Sequence, residues 1–142
     1  DGGILVLLSN DAGNAEFEHF NKLAGQFGIR FNEDSKNRVQ DNRFEMGVVN
    51  TPKDHPVFGA PKKLYIKELS TLQLSAPATS LLKNGDDIIM AVAKHGKGAV
   101  FALGDPWIYN EYLDGRKLPA DFDNYPAAEA WVKWLLAGAA IK

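Results

Sequence analysis

Three observations predict an α/β fold: a mixed sheet flanked by helices and containing an antiparallel meander. The unbroken apolar run Ile4-Leu5-Val6-Leu7-Leu8 is followed by a turn-rich loop and then an amphipathic helix. A strand of this kind is buried on both faces and is usually parallel to its neighbour. Two short turn signals, Asn84-Gly85-Asp86 and Lys94-His95-Gly96-Lys97-Gly98, separate three apolar segments later in the chain, which is the pattern of a meander. A second helical period closes the chain, and helices must cover a sheet that is apolar on both sides.

Each element follows from its residues. Residues 4–8 form the first strand. Ser9-Asn10-Asp11-Ala12-Gly13 is a loop, and Asn14 is placed to cap a helix over residues 15–27. Phe17, Phe20, Leu23, Ala24 and Phe27 share one side of that helix, with Glu18 and Lys22 paired at i,i+4 on the other. Gly28 ends it, and residues 29–31 are a short strand. Residues 32–45 are polar and read as a surface loop, and residues 46–49 as a brief strand. Residues 51–61 contain three prolines and read as another loop. Residues 64–75 alternate as a strand, with Leu64, Ile66, Leu72 and Leu74 inward. Strands follow at 79–82, 88–93 and 99–103. After a long loop at residues 105–124, Pro126 suits the first turn of a helix whose inner face is Ala127, Trp131, Trp134, Leu135 and Gly138. Glu129 pairs with Lys133 on its outer side.

Composition bounds the function. The chain has 142 residues, 45% hydrophobic, 24% charged and 11% aromatic, with a formal net charge of −2. One domain is the expected count, and a chain of this length buries roughly 68–70% of its unfolded surface. The charge balance argues against a nucleic-acid partner or a polybasic membrane adaptor. No apolar run approaches the ~20 residues of a membrane span. The absence of cysteine removes disulfides, thiolate metal sites and a cysteine nucleophile together. The abrupt start of Asp1-Gly2-Gly3 against the first strand reads as an excised or processed piece of a longer protein.

Ligands of open α/β sheets gather outside the carboxyl ends of parallel strands. Two loops fit that position, provided that the strands at 4–8 and 99–103 are parallel neighbours. Asn10, Asp11, Asp105, Asn110 and Glu111 then surround a polar notch beside Trp107, Tyr109 and Tyr112. Carboxylates and amides bond sugar hydroxyls, and flat aromatic faces stack on sugar rings. The competing reading is that Asx residues after strands form turns and caps. Asp11 with Asp105 or Glu111 would supply the two carboxylates, roughly 5–10 Å apart, that glycoside hydrolysis needs, but with 18 acids in the chain a chance pair is the simpler account. His19 lies at i,i+3 from Glu16 without the His-Glu-x-x-His spacing of a metalloprotease. His55 and His95 sit in loops, so no metal or cofactor is predicted. Gly96-Lys97-Gly98 joins two strands rather than opening a helix, which is the wrong setting for a phosphate loop. There is no Gly-x-Ser-x-Gly elbow.

Several stretches carry a family resemblance. Asp1-Gly2-Gly3-Ile4-Leu5-Val6-Leu7-Leu8 resembles the glycine-pair entry to a strand in glutamine-amidotransferase-like domains. The segment from Ala93 through Gly96-Lys97-Gly98 to Gly104-Asp105-Pro106 is similar to the late hairpin of an uncharacterised branch of them. Trp107-Ile108-Tyr109-Asn110-Glu111-Tyr112-Leu113-Asp114-Gly115-Arg116-Lys117-Leu118-Pro119 resembles the C-terminal domain appended to bacterial unsaturated rhamnogalacturonyl hydrolases (glycoside hydrolase family 105), as do Asn10-Asp11 and Glu18-His19-Phe20-Asn21-Lys22-Leu23-Ala24. The resemblance implies a flavodoxin-like core and a periplasmic or cell-surface parent enzyme that removes an unsaturated sugar acid from pectin fragments. It also implies that the parent's catalytic acids lie in a separate helical barrel, so no catalytic residue is carried over. The family's domain begins with a further strand–helix unit that precedes Asp1-Gly2-Gly3, and an unpaired sheet edge left by its absence would need a partner.

Three functions follow as expectations. The leading one is a non-catalytic accessory domain of a pectin- or rhamnogalacturonan-degrading protein, docking on that protein's catalytic domain or binding a pectin-derived oligosaccharide through Asn10, Asp11, Asp105, Trp107, Tyr109, Asn110, Glu111 and Tyr112. The others are a carbohydrate hydrolase in its own right, using Asp11 with Asp105 or Glu111, and a structural or dimerisation module.

Overall fold

The apolar run at the start of the chain forms strand β1, Ile4–Leu8, and lies parallel to β8, Gly98–Leu103, in the register Ile4↔Ala99 to Leu8↔Leu103. The computed structural model describes residues 2–105, 108–110, 112–113 and 117–138. Between these strands lie helix α1 (Glu18–Ala24) and strands β2 (Ile29–Phe31), β3 (Val48–Asn50), β4 (Lys63–Tyr65), β5 (Leu72–Leu74), β6 (Ala78–Asn84) and β7 (Asp87–His95); helix α2 (Asn124–Leu136) follows β8. The main sheet has the order β1-β8-β7-β5-β2, with β6 on the other edge of β7, and β3 and β4 form a separate antiparallel pair. Among the described strands only β1 and β8 run parallel. The result is the expected mixed α/β architecture, and β6-β7-β8 is the expected meander. No helix among the described residues is long and apolar enough to cross a membrane.

Strand β7 organises the sheet. One edge pairs with β6. Along the other edge, Met90 to His95 pair with β8 and Ile88 pairs with Leu72 of β5. β8 therefore leaves β7 where β5 joins it, and the crossing point is Gly104. A Cβ at Gly104 would lie 1.8 Å from the Ser70 carbonyl oxygen, so no side chain fits there. Ser70 N–H donates to Gly104 O at 2.9 Å and locks the junction.

Two apolar clusters flank the sheet. On one face Leu64, Ile66, Ile89, Phe101 and Leu103 pack with Ala127 and Trp131 of α2, and the Phe101 and Trp131 rings lie 5.4 Å apart. On the other, Ile29, Phe31, Ala91 and Ala102 pack with Ala24 of α1 and Phe17, and the Phe20 and Phe31 rings lie 5.0 Å apart. Each buried aromatic side chain contributes about 1.5–3 kcal/mol by transfer from water.

Four expectations change. The strand expected over residues 64–75 is two strands in different sheets. Glu68 has φ +51°, and Leu69 bridges to Lys36, so residues 66–71 cross from one sheet to the other. The helix expected over residues 15–27 is a shorter α1 followed by a 3-10 turn at Gly25–Phe27. Its expected cap, Asn14, gives its amide to Asp11, and Glu16 takes the capping role by accepting the His19 N–H at 3.1 Å. The strand expected at residues 46–49 starts later, because Phe44–Gly47 forms a 3-10 turn. Gly138, expected on the inner face of the last helix, is exposed beyond its end.

Candidate functional site

The parallel pairing of β1 with β8 brings the two predicted loops to one end of the sheet. Ser9 N–H donates to Leu103 O at 3.0 Å, extending the ladder one residue past β1. Asn10 and Asp11 then emerge beside Gly104 and Asp105.

The side chains divide there. Asp11 is only 3% exposed. Its Oδ1 accepts from Asn14 Nδ2 at 2.7 Å and its Oδ2 from Ser35 Oγ at 2.5 Å, while Arg38 Nε donates to the same Ser35 oxygen at 3.1 Å. Asp11 also accepts Asn14 N–H through its own carbonyl at 3.0 Å, so it closes a turn. Asn10 Oδ1 accepts the Asp11 N–H at 2.8 Å. Asn110 behaves in the same way, with Oδ1 accepting Tyr112 N–H at 3.0 Å. The turn-forming role that Asx residues favour is thus the observed one for Asn10, Asp11 and Asn110.

Asp105 is completely buried. Burial, and secondarily the charge of Asp105, push the Tyr109 hydroxyl up to about 12. Tyr65 is also pushed up to about 12, first by burial and then by Tyr112, Glu68 and Asp105. Both phenols therefore stay protonated through neutral pH and remain hydrogen-bond donors. Asp105 is enclosed by the fold rather than presented as an open carboxylate.

Two separate hollows result. One, of about 370 Å³, is lined by Ser9, Asn10, Asn14, Glu16, Phe20 and Tyr109 among others. The other, also of about 370 Å³, is lined by Tyr112, Leu118, Pro119, Phe122 and Tyr125 among others. The structure brings Asn10 and Tyr109 into one cavity, places Tyr112 in the second with its ring 5.4 Å from that of Tyr65, and sets Asp11 and Asp105 behind the walls. Trp107 and Glu111 lie outside the described residues.

Sequence reading missed Ser9, Asn14 and Glu16 as lining residues, although two of them belong to the loop it singled out. It also missed the support behind them. Asp34 accepts the Thr71 N–H at 2.8 Å and the Thr71 hydroxyl at 2.5 Å, and Thr71 Oγ1 accepts from Asn32 Nδ2 at 2.7 Å. These partners are 37 and 39 positions apart in the chain, and no local pattern announces such a pair. Residues 32–36, read as plain surface loop, brace the loop after β1: Asp34 O accepts the Ala12 N–H at 2.8 Å and Ser35 Oγ donates to Asp11.

Glu16, Glu18 and His19 place potential metal-ligand atoms within 4.8 Å of one another. All three are exposed, Glu16 is committed to the start of α1, and Glu18 pairs with Lys22 at 3.2 Å. The His19 backbone N–H, first among the causes, holds Glu16 below the usual carboxylate range.

No family model matches the sequence, and no curated protein matches it. Among solved structures the chain is similar to one described as the mmIFT52 N-terminal domain, with a TM-score of 0.73 and 21% sequence identity, covering 99% of this chain and 68% of that one. At that identity the likeness is one of fold. It is a different family from the glutamine-amidotransferase-like domain of unsaturated rhamnogalacturonyl hydrolases expected from the sequence, and that assignment is corrected. The glycines that suggested it have a local explanation. Gly3 O accepts the Ala99 N–H at 2.9 Å, and a Cβ at Gly98 would lie 2.6 Å from Gly3 O. Gly96 turns the hairpin at φ +58°. Close approach excludes a side chain at Gly98, and the left-handed φ favours glycine at Gly96, so both residues have a local cause.

Proposed function

We propose that the chain is a non-catalytic accessory domain that recognises a neutral, hydroxyl-rich ligand of oligosaccharide type at the end of the β1–β8 pair. The observation that carries this reading is the cavity of about 370 Å³ lined by Ser9, Asn10, Asn14, Glu16, Phe20 and Tyr109 among others. Its polar groups are amides, hydroxyls and a single carboxylate, which suits a ligand that donates and accepts hydrogen bonds without bearing strong charge. Phe20 and Tyr109 add aromatic surface, and binding sites characteristically combine such surface with a few convergent polar groups.

The non-catalytic part rests on the two acids. Both oxygens of Asp11 accept hydrogen bonds from within the fold, and Asp105 is fully buried. Glycoside hydrolysis requires both carboxylates at the scissile bond. The rival reading, a hydrolase using Asp11 with Asp105 or Glu111, requires that Asp105→Asn abolish turnover at an unchanged Tm. The accessory reading requires instead that this substitution lower Tm.

A backbone-amide titration of the chain with neutral oligosaccharides to millimolar concentration tests the proposal. Saturable shifts at Asn10, Asn14 and Tyr109 are expected. A folded sample without shifts, or with shifts clustered elsewhere, overturns it. The similar solved structure is an N-terminal domain by description, which supports a modular role. The flavodoxin-like core expected for the sheet rests on one parallel pair. A doubly wound sheet requires further parallel strands beside β1, and the structure of a longer form of the chain tests that.

A further inference from the structure

The turn that joins β6 to β7 sets an amide beside an unscreened backbone nitrogen. Asn84 ends β6, Asp87 begins β7 and the two residues pair, so Gly85 and Asp86 make the turn. Gly85 has φ +61° and is the first central residue, the position that type II′ hairpins give to glycine. Asn84, Gly85 and Asp86 are all exposed. Among the asparagines of the chain only Asn84 precedes a glycine. No side chain therefore screens the nitrogen of residue 85 from the Asn84 amide. A Cβ at Gly85 would meet nothing within 4 Å, so the space around it is open as well. Among the described residues no backbone hydrogen bond engages the Gly85 N–H. Asn21 and Asn124 are different: each has both ends of its amide bonded to a strand and is followed by a residue with a long side chain. The Asn84 amide has one bond, Nδ2 donating to Asn37 Oδ1 at 3.2 Å.

We propose that Asn84-Gly85 is a site of spontaneous deamidation. The Gly85 nitrogen attacks Asn84 Cγ and closes a cyclic succinimide. The Cγ–Nδ2 bond breaks, and ammonia leaves with the proton from the Gly85 N–H. Water then adds to one of the two ring carbonyls. Opening at Cγ gives aspartate with the main chain intact. Opening at the main-chain carbonyl carbon gives isoaspartate, whose peptide bond runs through Cγ. No electrons are exchanged, and water is the sole co-reactant.

Either product turns a hydrogen-bond donor into an acceptor. The new carboxylate faces Asn37 Oδ1. Asn37 cannot reverse its own amide without giving up Ile66 O, to which its Nδ2 donates at 3.0 Å. The carboxylate also joins those of Asp86 and Asp87, where Lys36 already pairs with Asp87 at 3.3 Å. Isoaspartate does more, because it adds Cβ to the main chain at the last pair of β6. The pairs Asn84↔Asp87 and Lys83↔Ile88 then lose their register, on a strand already shifted at Ser80/Leu82 and Leu82/Lys83. The modification loosens the β6–β7 tip from residues 36–37 and leaves the β7–β8 ladder intact.

The full chain, held at mildly alkaline pH and physiological temperature and sampled over weeks, provides the test. Digests are mapped by mass spectrometry with electron-transfer fragmentation, which separates aspartate from isoaspartate. The expected result is first-order loss of the Asn84 amide with both products at that position, while the other asparagines keep theirs. Asn84→Gln retains an amide donor and should stop the reaction there without lowering the Tm. The isoaspartyl form, separated by ion exchange, should lose amide protection at Asp87 while β8 keeps its own. An Asn84 amide that survives as long as the other asparagines overturns the proposal, as does an Asn84→Gln protein that loses ammonia as fast as wild type. Isoaspartyl protein with unchanged protection at Asp87 overturns the loosening of the tip.

Discussion

Each helix is fastened to a strand by one asparagine amide, and the two fastenings differ in depth. On the α1 side, Asn21 Nδ2 donates to Phe31 O at 2.9 Å and Asn21 Oδ1 accepts the Phe31 N–H at 2.8 Å. On the α2 side, Asn124 Nδ2 donates to Tyr65 O at 3.0 Å and its Oδ1 accepts the Tyr65 N–H at 2.8 Å. Asn21 is half-buried, whereas Asn124 is 1% exposed. Asn124 is also reinforced by its neighbour: Asp123 Oδ2 accepts the Lys63 N–H at 2.8 Å, and Asp123 N–H donates to Lys63 O at 2.9 Å. The first clip holds β2 and, through it, the segment of Asn32, Asp34 and Ser35 that braces the loop after β1. The second holds Tyr65 against Tyr112 and the Asp105 side of the site. The comparison teaches that the same chemistry fastens two strands in surroundings of unequal dryness, and the cost of removing it should follow the water.

The largest effect is expected at the dry clip. Asn124→Ala leaves the Tyr65 N–H and C=O buried without that partner, a loss of about 3 kcal/mol, read as a lowered urea midpoint at unchanged m. Asn21→Ala exposes the Phe31 groups to nearby water and should cost about 1–2 kcal/mol. If the two variants lose equally, burial is not what distinguishes the clips.

A third clip sharpens the comparison because it titrates. His55 Nδ1 accepts the Val57 and Phe58 N–H groups at 3.1 and 3.3 Å, which leaves the ring proton on Nε2 to donate to Leu81 O. Burial lowers the His55 pKa from 6.5, partly opposed by the Leu81 bond. The folded state therefore favours the neutral ring. Its contribution is fully present above the unfolded value of 6.5 and is lost as pH falls from there through the depressed folded value. Urea midpoints should fall with pH in that window, and His55→Gln should flatten the slope. The smallest effect is expected at the surface. Lys133 and Glu129 pair at 2.6 Å on the outer side of α2, and replacing either with Gln should leave the Tm unchanged within error.

Much of the frame was legible. The apolar run of β1, the meander turns at Gly85 and Gly96, the inward Phe17, Phe20 and Ala24 and the Ala127–Trp131 face of α2 all follow from period and turn chemistry, whereas Leu23, expected beside Ala24, is 45% exposed. Parallel pairing of β1 with β8 was foreseen as a condition for the site and is observed. The site was legible only as a location. Asn10 and Tyr109 share a cavity, but Asp11 and Asp105 are internal, and Tyr112 lines a different hollow. Side-chain type marks which residues favour turns or ligands; it does not say whether a carboxylate faces water or the fold.

Local sequence determined where strands and helices begin, because apolar period, glycine turns and proline act over a few residues. Tertiary structure decided which polar side chain meets which backbone group. Asn21 and Phe31 are 10 positions apart and Asn124 and Tyr65 are 59. Asp123 would ordinarily cap α2, yet its carboxylate goes to Lys63 N–H instead. Strand β1 shows the same division: its apolar character is written in five residues, but its parallel pairing comes from β8, at the far end of the chain. Hydrogen-bonding capacity is local to a residue, while the groups that satisfy it are brought near only when distant segments share a core.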